Sequence, residues 1–463
     1  KRLILCCNQF FYLHFFSTCA YSRLSFYFPV MKMLWLFGSF LFFQVAYHLI
    51  VTIFGYGLQR LDPSMIAICR DSIWLVLFGI IAVLGINYWK AYFEQWWKIW
   101  LGFGGLLGFS VLISFFFFHK SPSDILIGIK YGLWWMSILL TASWIGFYFG
   151  QKKQNLNWIF PYLKWGLVGI VMLGRIWQFG KLLFPDFFFS LGYGKLDDFH
   201  FGVNPPLYYL TGFEGALRWQ GLFSGPNNYG YFLVLFFPLI LYFFPFKKQL
   251  SFLSWIKENG VSFLVVVLWI VSICATISRA ALLGLVLLLA MACFPVLKQH
   301  KKQLFVSGLF VVLAFVWLSL RKWESTQAHV QAKVWGFLEV LNTPLWFGLG
   351  SSGPAVHHGG DKLPENYYLQ LMLDIGTVGF LMRCGVMLLG SYQLKKLRLV
   401  VLSQGKWNDE VYQIFLALQK GFLAFLVMGL FLHVFEDSMV NYLFFSLYGM
   451  SLGWLTRRGG DEW

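Results

Sequence analysis

Charge is the scarcest property of this chain. Asp, Glu, Lys and Arg make up 12% of its 463 residues, where a soluble domain carries about 25%. With 59% hydrophobic residues and a mean hydropathy of +0.66, the chain has too little polar surface to cover itself in water, which excludes a water-soluble enzyme. Acids are scarcer than bases, 20 against 36, for a net charge of +16. In a soluble protein that excess would point to nucleic acid; here it first has to be placed relative to a membrane. None of the seven cysteines forms a CxxC pair and most lie in apolar runs, which argues against a disulfide framework or a zinc site. Internal repeats are absent, so an inverted-repeat transporter gains no support from symmetry. If spans take about 20 residues each, a dozen use about 240, leaving no room for a large soluble domain.

Apolar runs between charge clusters predict an all-α polytopic membrane protein with about twelve spans. They fall near 33–57, 73–89, 100–118, 129–149, 158–179, 228–247, 261–277, 279–296, 303–320, 366–392, 412–434 and 437–455. Residues 1–32 precede them as an aromatic, irregular stretch without a small-residue cleavage site. They read either as an extension upstream of a natural start at Met31 or as a short interfacial helix. The segments 33–179, 228–320 and 366–463 form the helical body, and 180–227 and 321–365 are two long loops. Lys152-Lys153, Lys247-Lys248 with Lys257, Lys298 with Lys301-Lys302, Lys395-Lys396 with Arg398, and Arg457-Arg458 all fall on one side of a twelve-span layout. That side is expected to be cytoplasmic, together with both termini. Both long loops then face outward, and with them any chemistry.

The outer loops hold the informative residues. Pro226 and Asn227 suit a turn into a helix N-terminus, with Asn227 or Asn228 as cap and Arg218 just upstream; a guanidinium beside a helix N-terminus favours an anion. Arg279 sits between two abutting spans, where a charge so near hydrocarbon needs a partner or a task, and Arg175 near the outer end of the fifth span poses the same question. Snorkelling, or a salt bridge to Glu214 or Asp437, would also account for these cations. Val330, Val334, Phe337, Leu338 and Leu341 recur at helical spacing, with His329 and Lys333 on another face, as in a helix lying along the membrane surface. A glycine-rich loop follows at 347–354, which reads as a phosphate cradle or simply a flexible surface loop. His357-His358 has no carboxylate at ligand spacing, so no metal is expected. Asn366, Gln370 and Asp374 form a polar stripe that should face the bundle interior, and Glu365 stands at its outer mouth, as a general base or as helix-terminal charge. Phe187, Phe188, Phe189, Tyr193, Phe199, Phe201, Tyr208 and Tyr209 suit either sugar stacking or an interfacial belt.

Four stretches together carry a family likeness: RWQGLFSGPNNYGYFLVLFFP at 218–238, TISRAALLGL at 276–285, PLWFGLGSSG at 344–353 and ENYYLQLMLDIGTVGF at 365–380. In order, spacing and placement the sequence resembles the O-antigen ligase/polymerase family of bacterial membrane glycosyltransferases, over roughly 212–392. The resemblance implies an all-helical, C-type-glycosyltransferase-like fold in the bacterial cytoplasmic membrane, acting at its outer face on glycans carried by a polyprenyl diphosphate. It implies diphosphate binding by Arg218 and Arg279; by position alone, Arg175 is a third candidate, and Asn227, Asn366 and Asp374 stand in support. Ligase-type members often carry a histidine where this chain has Glu365, which tilts the reading toward a polymerase. His329, in STQAHVQAKVW, resembles a histidine of some polymerase-like members. The implied reaction joins lipid-linked repeat units into O-antigen, capsule or exopolysaccharide by inverting transfer, without metal or other cofactor. Donor and acceptor glycans, membrane lipids, and chain-length regulator and flippase proteins are the implied partners, and nucleic acid is not. A ligase acting on lipid A core or protein, and a transporter or flippase of lipid-linked sugars, are the alternatives.

Overall fold

The structure is a computed structural model that describes residues 38–41, 43–59, 61–151, 159–194, 205–210, 216–245, 252–297, 323–342, 366–403 and 409–459. The chain divides into two compact units, Lys1–Phe43 and Gln44–Trp463, and the second holds nearly all of these residues. The helices are α1 (Gly38–Gly57, ending in the π-helical Val51–Gly57), α2 (Pro63–Leu84), α3 (Trp89–Leu112, continued by π turns to Phe117), α4 (Pro122–Gly132) and α5 (Trp134–Gln151). After them come α6 (Ile159–Leu183), α7 (Pro185–Ser190), α8 (Pro226–Phe243), α9 (Phe252–Ala275) and α10 (Arg279–Leu297). The last four are α11 (Trp323–Asn342), α12 (Tyr367–Ser403), α13 (Glu410–Met428) and α14 (Ser438–Gly459). A two-residue hairpin, β1 (Tyr209–Leu210) and β2 (Leu217–Arg218), precedes α8, antiparallel with Tyr209 opposite Arg218.

The chain is thus an all-α polytopic membrane protein. Seven of the described helices are long and apolar enough to cross a bilayer, and the bent pair α4–α5, meeting at 64°, raises this to eight. The run 303–320 and residues 1–32 lie outside the described residues. α8 is lowered in apolarity by Asn227 and Asn228 in its first turn, and α14 by Asn441, Ser446 and Ser451. Both helices are enclosed by protein along most of their length, so neither needs a lipid-grade surface.

The central contact joins α5 and α14. Leu139 lies against Gly449, Ser143 against Gly453, and Gly150 against Arg457, so the two helices run parallel. A Cβ at Gly146 would strike the Met450 carbonyl, one at Gly449 that of Leu139, and one at Gly453 that of Ser143. Small residues four apart let two backbones approach where lipid offers no hydrophobic drive. The same device joins α13 to α8, where Gly421 faces the Leu235 carbonyl. Paired contacts also make α8 parallel to α10 (Gly230 with Ala281, Gly284 with Val234) and antiparallel to α9 (Phe232 and Leu233 with Trp269, Gly225–Tyr229 near the end of α9).

Several helices depart from the expected runs. α2 starts ten residues before the run at 73, because Arg70 and Asp71 are accommodated inside it: their side chains pair at 2.7 Å and Arg70 stacks on Tyr47 and Tyr442. The run 129–149 bends between α4 and α5, and the run 366–392 breaks at Gly376, whose φ of 69° is left-handed. α11 forms over the amphipathic stretch. Val330, Val334, Phe337, Leu338 and Leu341 are all exposed, while Lys333 turns inward onto the Phe431 ring at 4.5 Å. An apolar face presented outward on a surface helix is what an interfacial helix offers to lipid.

Gly453→Val is expected to lower stability by about 3 kcal/mol or more through overpacking of α14 against α5. Gly79→Ala, where an added Cβ meets nothing within 4 Å, should be neutral or mildly stabilising. Thermal unfolding in micelles checks both; equal melting of the two variants would contradict the α5–α14 contact.

Candidate functional site

The hairpin and the segment after it bring Arg218 onto the turn between α9 and α10. Trp219 N–H donates to the Ala275 carbonyl at 2.9 Å, which continues the strand onto the end of α9. Gly221 then turns with φ 57°, close beneath the Tyr229 ring. Phe223, fully buried between Tyr229 and Phe232, anchors the segment below. Tyr209 donates its hydroxyl to the Ser224 carbonyl at 2.9 Å, and Asn228 donates to Ser224 Oγ at 2.6 Å. With Gly225 extended and Pro226 in the first turn, α8 can only begin there.

Arg218 Nε donates to the Thr276 carbonyl at 3.0 Å and Nη2 to Asn227 Oδ1 at 2.8 Å. Two of its five N–H groups are thereby fixed, and Nη1 has no partner among the described residues. Burial draws the guanidinium pKa down from its ordinary value; Tyr231 and Tyr209 oppose this, and the like charge of Arg279 adds to it. The two arginines therefore lie within reach of each other's field. Burial likewise pushes Tyr209 up to about 12, against the nearby Arg218 charge.

Arg279 is the first residue of α10. Ser278 caps the helix: its Oγ receives the Ala281 N–H at 3.5 Å, and its own N–H donates to Thr276 Oγ1 at 3.2 Å. Between them Ile277 has φ 50°, a left-handed conformation that a β-branched residue adopts only when its surroundings dictate it. Gly230 lets α8 approach α10 near both N-termini, where its Cβ would come within 2.8 Å of Ala281 Cβ. Two helix N-termini, each a positive dipole end, thus stand side by side, with Arg279 as the first residue of one and Arg218 held to Asn227 in the first turn of the other. The arrangement suits a polyanion such as a diphosphate.

The other residues expected in the site have different settings. Arg175 is tied to α9, with Nη2 donating to the Leu268 carbonyl at 2.9 Å and to Ser272 Oγ at 3.0 Å, and its guanidinium lies 5.4 Å from the Trp219 ring centre. It braces the strand that carries Arg218. Asn366 is an N-cap: its Oδ1 receives the N–H groups of Tyr368 and Leu369, and its Nδ2 donates to the Leu430 carbonyl. Asp374 is 5% exposed and lines a cavity with Ser110, Gly128, Gly132, Leu133 and Leu371, of about 10 Å³, near the least that holds one water. His329 is half-buried on α11. Asp437, offered as a partner for Arg279, caps α14 through the Val440 N–H at 2.7 Å and lies in the field of Arg70. Glu365, Glu214, the loop 347–354 and His357-His358 lie outside the described residues.

Sequence reasoning passed over the Thr276 carbonyl, which is main chain and carries no side-chain signature, and Trp219, which reads as one aromatic among many. Arg175→Met is expected to cost about 1–3 kcal/mol of stability by releasing α9 from α6. Thermal unfolding measures this, and an unchanged melting temperature would free Arg175 for a role in anion binding. No protein-family model matches the chain, and no curated protein matches it.

Proposed function

We propose that the chain is a polymerase-like member of the O-antigen ligase/polymerase family, joining polyprenyl-diphosphate-linked repeat units at the outer face of a bacterial cytoplasmic membrane. The observation that supports this best is the nearness of Arg218 and Arg279 at the adjoining N-termini of α8 and α10. The leaving diphosphate gains negative charge as its bond to the anomeric carbon breaks. Donors already held in place, Arg218 by Thr276 and Asn227, meet that charge without reorganising. Anionic charge between the two guanidiniums also relieves their mutual repulsion, and that relief grows as the leaving diphosphate gains charge toward the transition state. The acceptor hydroxyl would lose its proton to Glu365, or to His329 on α11, and attack in one displacement with inversion. Asn366 would fix the start of α12 below Glu365, and Asp374 would support the bundle beneath. Cytoplasmic termini, outward long loops and about twelve spans complete the reading.

One observation favours a transporter instead. α12 breaks at Gly376 beside the buried Asp374, and broken helices with intramembrane acids mark transport sites. A transporter would move lipid-linked sugar without forming a glycosidic bond.

With purified protein and lipid-linked repeat units, Arg279→Ala is expected to reduce chain growth by about 100-fold or more while expression is retained. Wild-type polymer from that variant would sink the proposal. Sugar movement across vesicles with no lengthening of the glycan would establish the transporter.

A further inference from the structure

A second group of buried polar side chains lies on another face of α6. Gly174, Gln178 and Lys181 are the buried residues toward its C-terminal end. Lys181 is fully buried and lies 3.9 Å from the centre of the Tyr193 ring. Gln178 is 1% exposed. From α1, His48 meets the edge of the same Tyr193 ring at 6.5 Å, within the field of Lys181. Among the described residues, Lys181 Nζ, both ends of the Gln178 amide and the buried His48 Nε2 have no hydrogen-bond partner. The neighbouring hydroxyls are already used. Trp177 Nε1 donates to the Tyr193 hydroxyl at 3.0 Å, that hydroxyl is also bonded to Thr52, and Tyr208 donates to the Lys181 carbonyl at 2.6 Å. The cluster is closed by the meeting of Gly57 with Leu191 and Gly192, and by the Gly194–Pro206 bridge.

A buried ammonium without a counter-charge costs several kcal/mol, and each orphaned amide or imidazole group about 1–3 more. The ion pairs among the described residues gather at Asp71 and do not reach this cluster. Lys181 and His48 meet at one aromatic ring, and Gln178 stands one turn before Lys181 on α6; their three side-chain nitrogens, with no carboxylate beside them among the described residues, are the complement of one small oxyanion. We infer that Lys181, Gln178 and His48 form a binding site for a single oxyanion, a carboxylate or phosphate carried by an acidic sugar or by an acidic lipid headgroup. It is separate from the arginine pair. Arg175, which braces that site, and Lys181 are about 9 Å apart along α6 and turn to different neighbours, α9 and α1. The inference does not require that Arg218 and Arg279 hold a diphosphate.

The full chain in phosphatidylcholine nanodiscs allows the test. Thermal unfolding is followed with sodium glucuronate, with glucose, with sodium chloride at matched ionic strength, and after replacing part of the lipid by phosphatidylglycerol. Glucuronate or phosphatidylglycerol should raise the melting temperature by about 4 °C or more above the glucose and chloride controls. A response to glucuronate alone assigns a sugar acid; a response to the lipid alone assigns a headgroup. Lys181→Met should abolish the rise, and Gln178→Leu, a milder change should the first not fold, should weaken it about tenfold in concentration. Arg218→Ala should leave it intact. No rise, an equal rise with chloride, a rise that survives Lys181→Met, or one lost in Arg218→Ala would each overturn the assignment.

Discussion

Backbone-to-backbone contact between α5 and α14 sets the register on which the Arg218 end of the bundle depends. Once Gly146, Gly449 and Gly453 lock the two helices, the turn before α14 is fixed in height, and Phe435 in that turn becomes a junction. Its ring packs on Trp135 of α5 at 5.0 Å, on Tyr367 of α12 at 4.5 Å and on Phe425 of α13 at 4.8 Å. α13 passes the register on through Gly421, pressed against the Leu235 carbonyl, to α8. The N-terminus of α8 carries Asn227, and Asn227 holds Arg218. The position of a charged group at the rim is therefore tied to glycines deep in the bundle, through a chain of direct side-chain and backbone contacts.

At the rim, the physics changes from packing to electrostatics. Two guanidiniums within one another's field, beside two helix N-termini, repel one another where burial weakens the screening by water. The protein holds them there with hydrogen bonds that leave little freedom, and with Ile277 in a conformation costing about 1–2 kcal/mol. Such local cost persists where the surrounding structure over-determines it, and here it keeps the start of α10, and with it Arg279, against the strand of Arg218. A bound polyanion would convert these repulsions into attractions. That change of sign, more than any single contact, is what the proposed function asks of the arrangement.

Much of this was legible in the sequence. Sparse charge and long apolar runs gave the class. Arg218, Asn227 and Arg279 stood out because charged and capping residues are conspicuous beside hydrocarbon. Lys181 was not conspicuous, because the fifth apolar run ends at Phe179 while the helix continues to Leu183 and draws the lysine inside. Arg70 and Asp71 were excluded from a span for the same reason, since a hydropathy window counts charges singly and cannot see that two of them pair. The α5–α14 contact was hidden too. Gly449 and Gly453 carry no apolar signal, and only the partner's carbonyls reveal what their missing side chains permit.

The polar stripe Asn366, Gln370 and Asp374 shows most clearly what periodicity can and cannot decide. It placed the three residues on one face, and Gln370 and Asp374 are buried there. It could not show that the helix ends as a unit two residues later, at Gly376. A break inside a bilayer frees backbone groups that lipid cannot satisfy. The chain meets this by setting two breaks close together. The Gly132 carbonyl, released where α4 bends into α5, accepts from the Tyr367 hydroxyl at 3.1 Å and from Arg383 Nη1 at 2.9 Å. The Arg383 guanidinium in turn lies among the rings of Trp135, Tyr367 and Phe435. One buried arginine thus joins both bent helices to the Phe435 junction, so the bend in α12 belongs to the same rigid frame that positions Asn227 and Arg218.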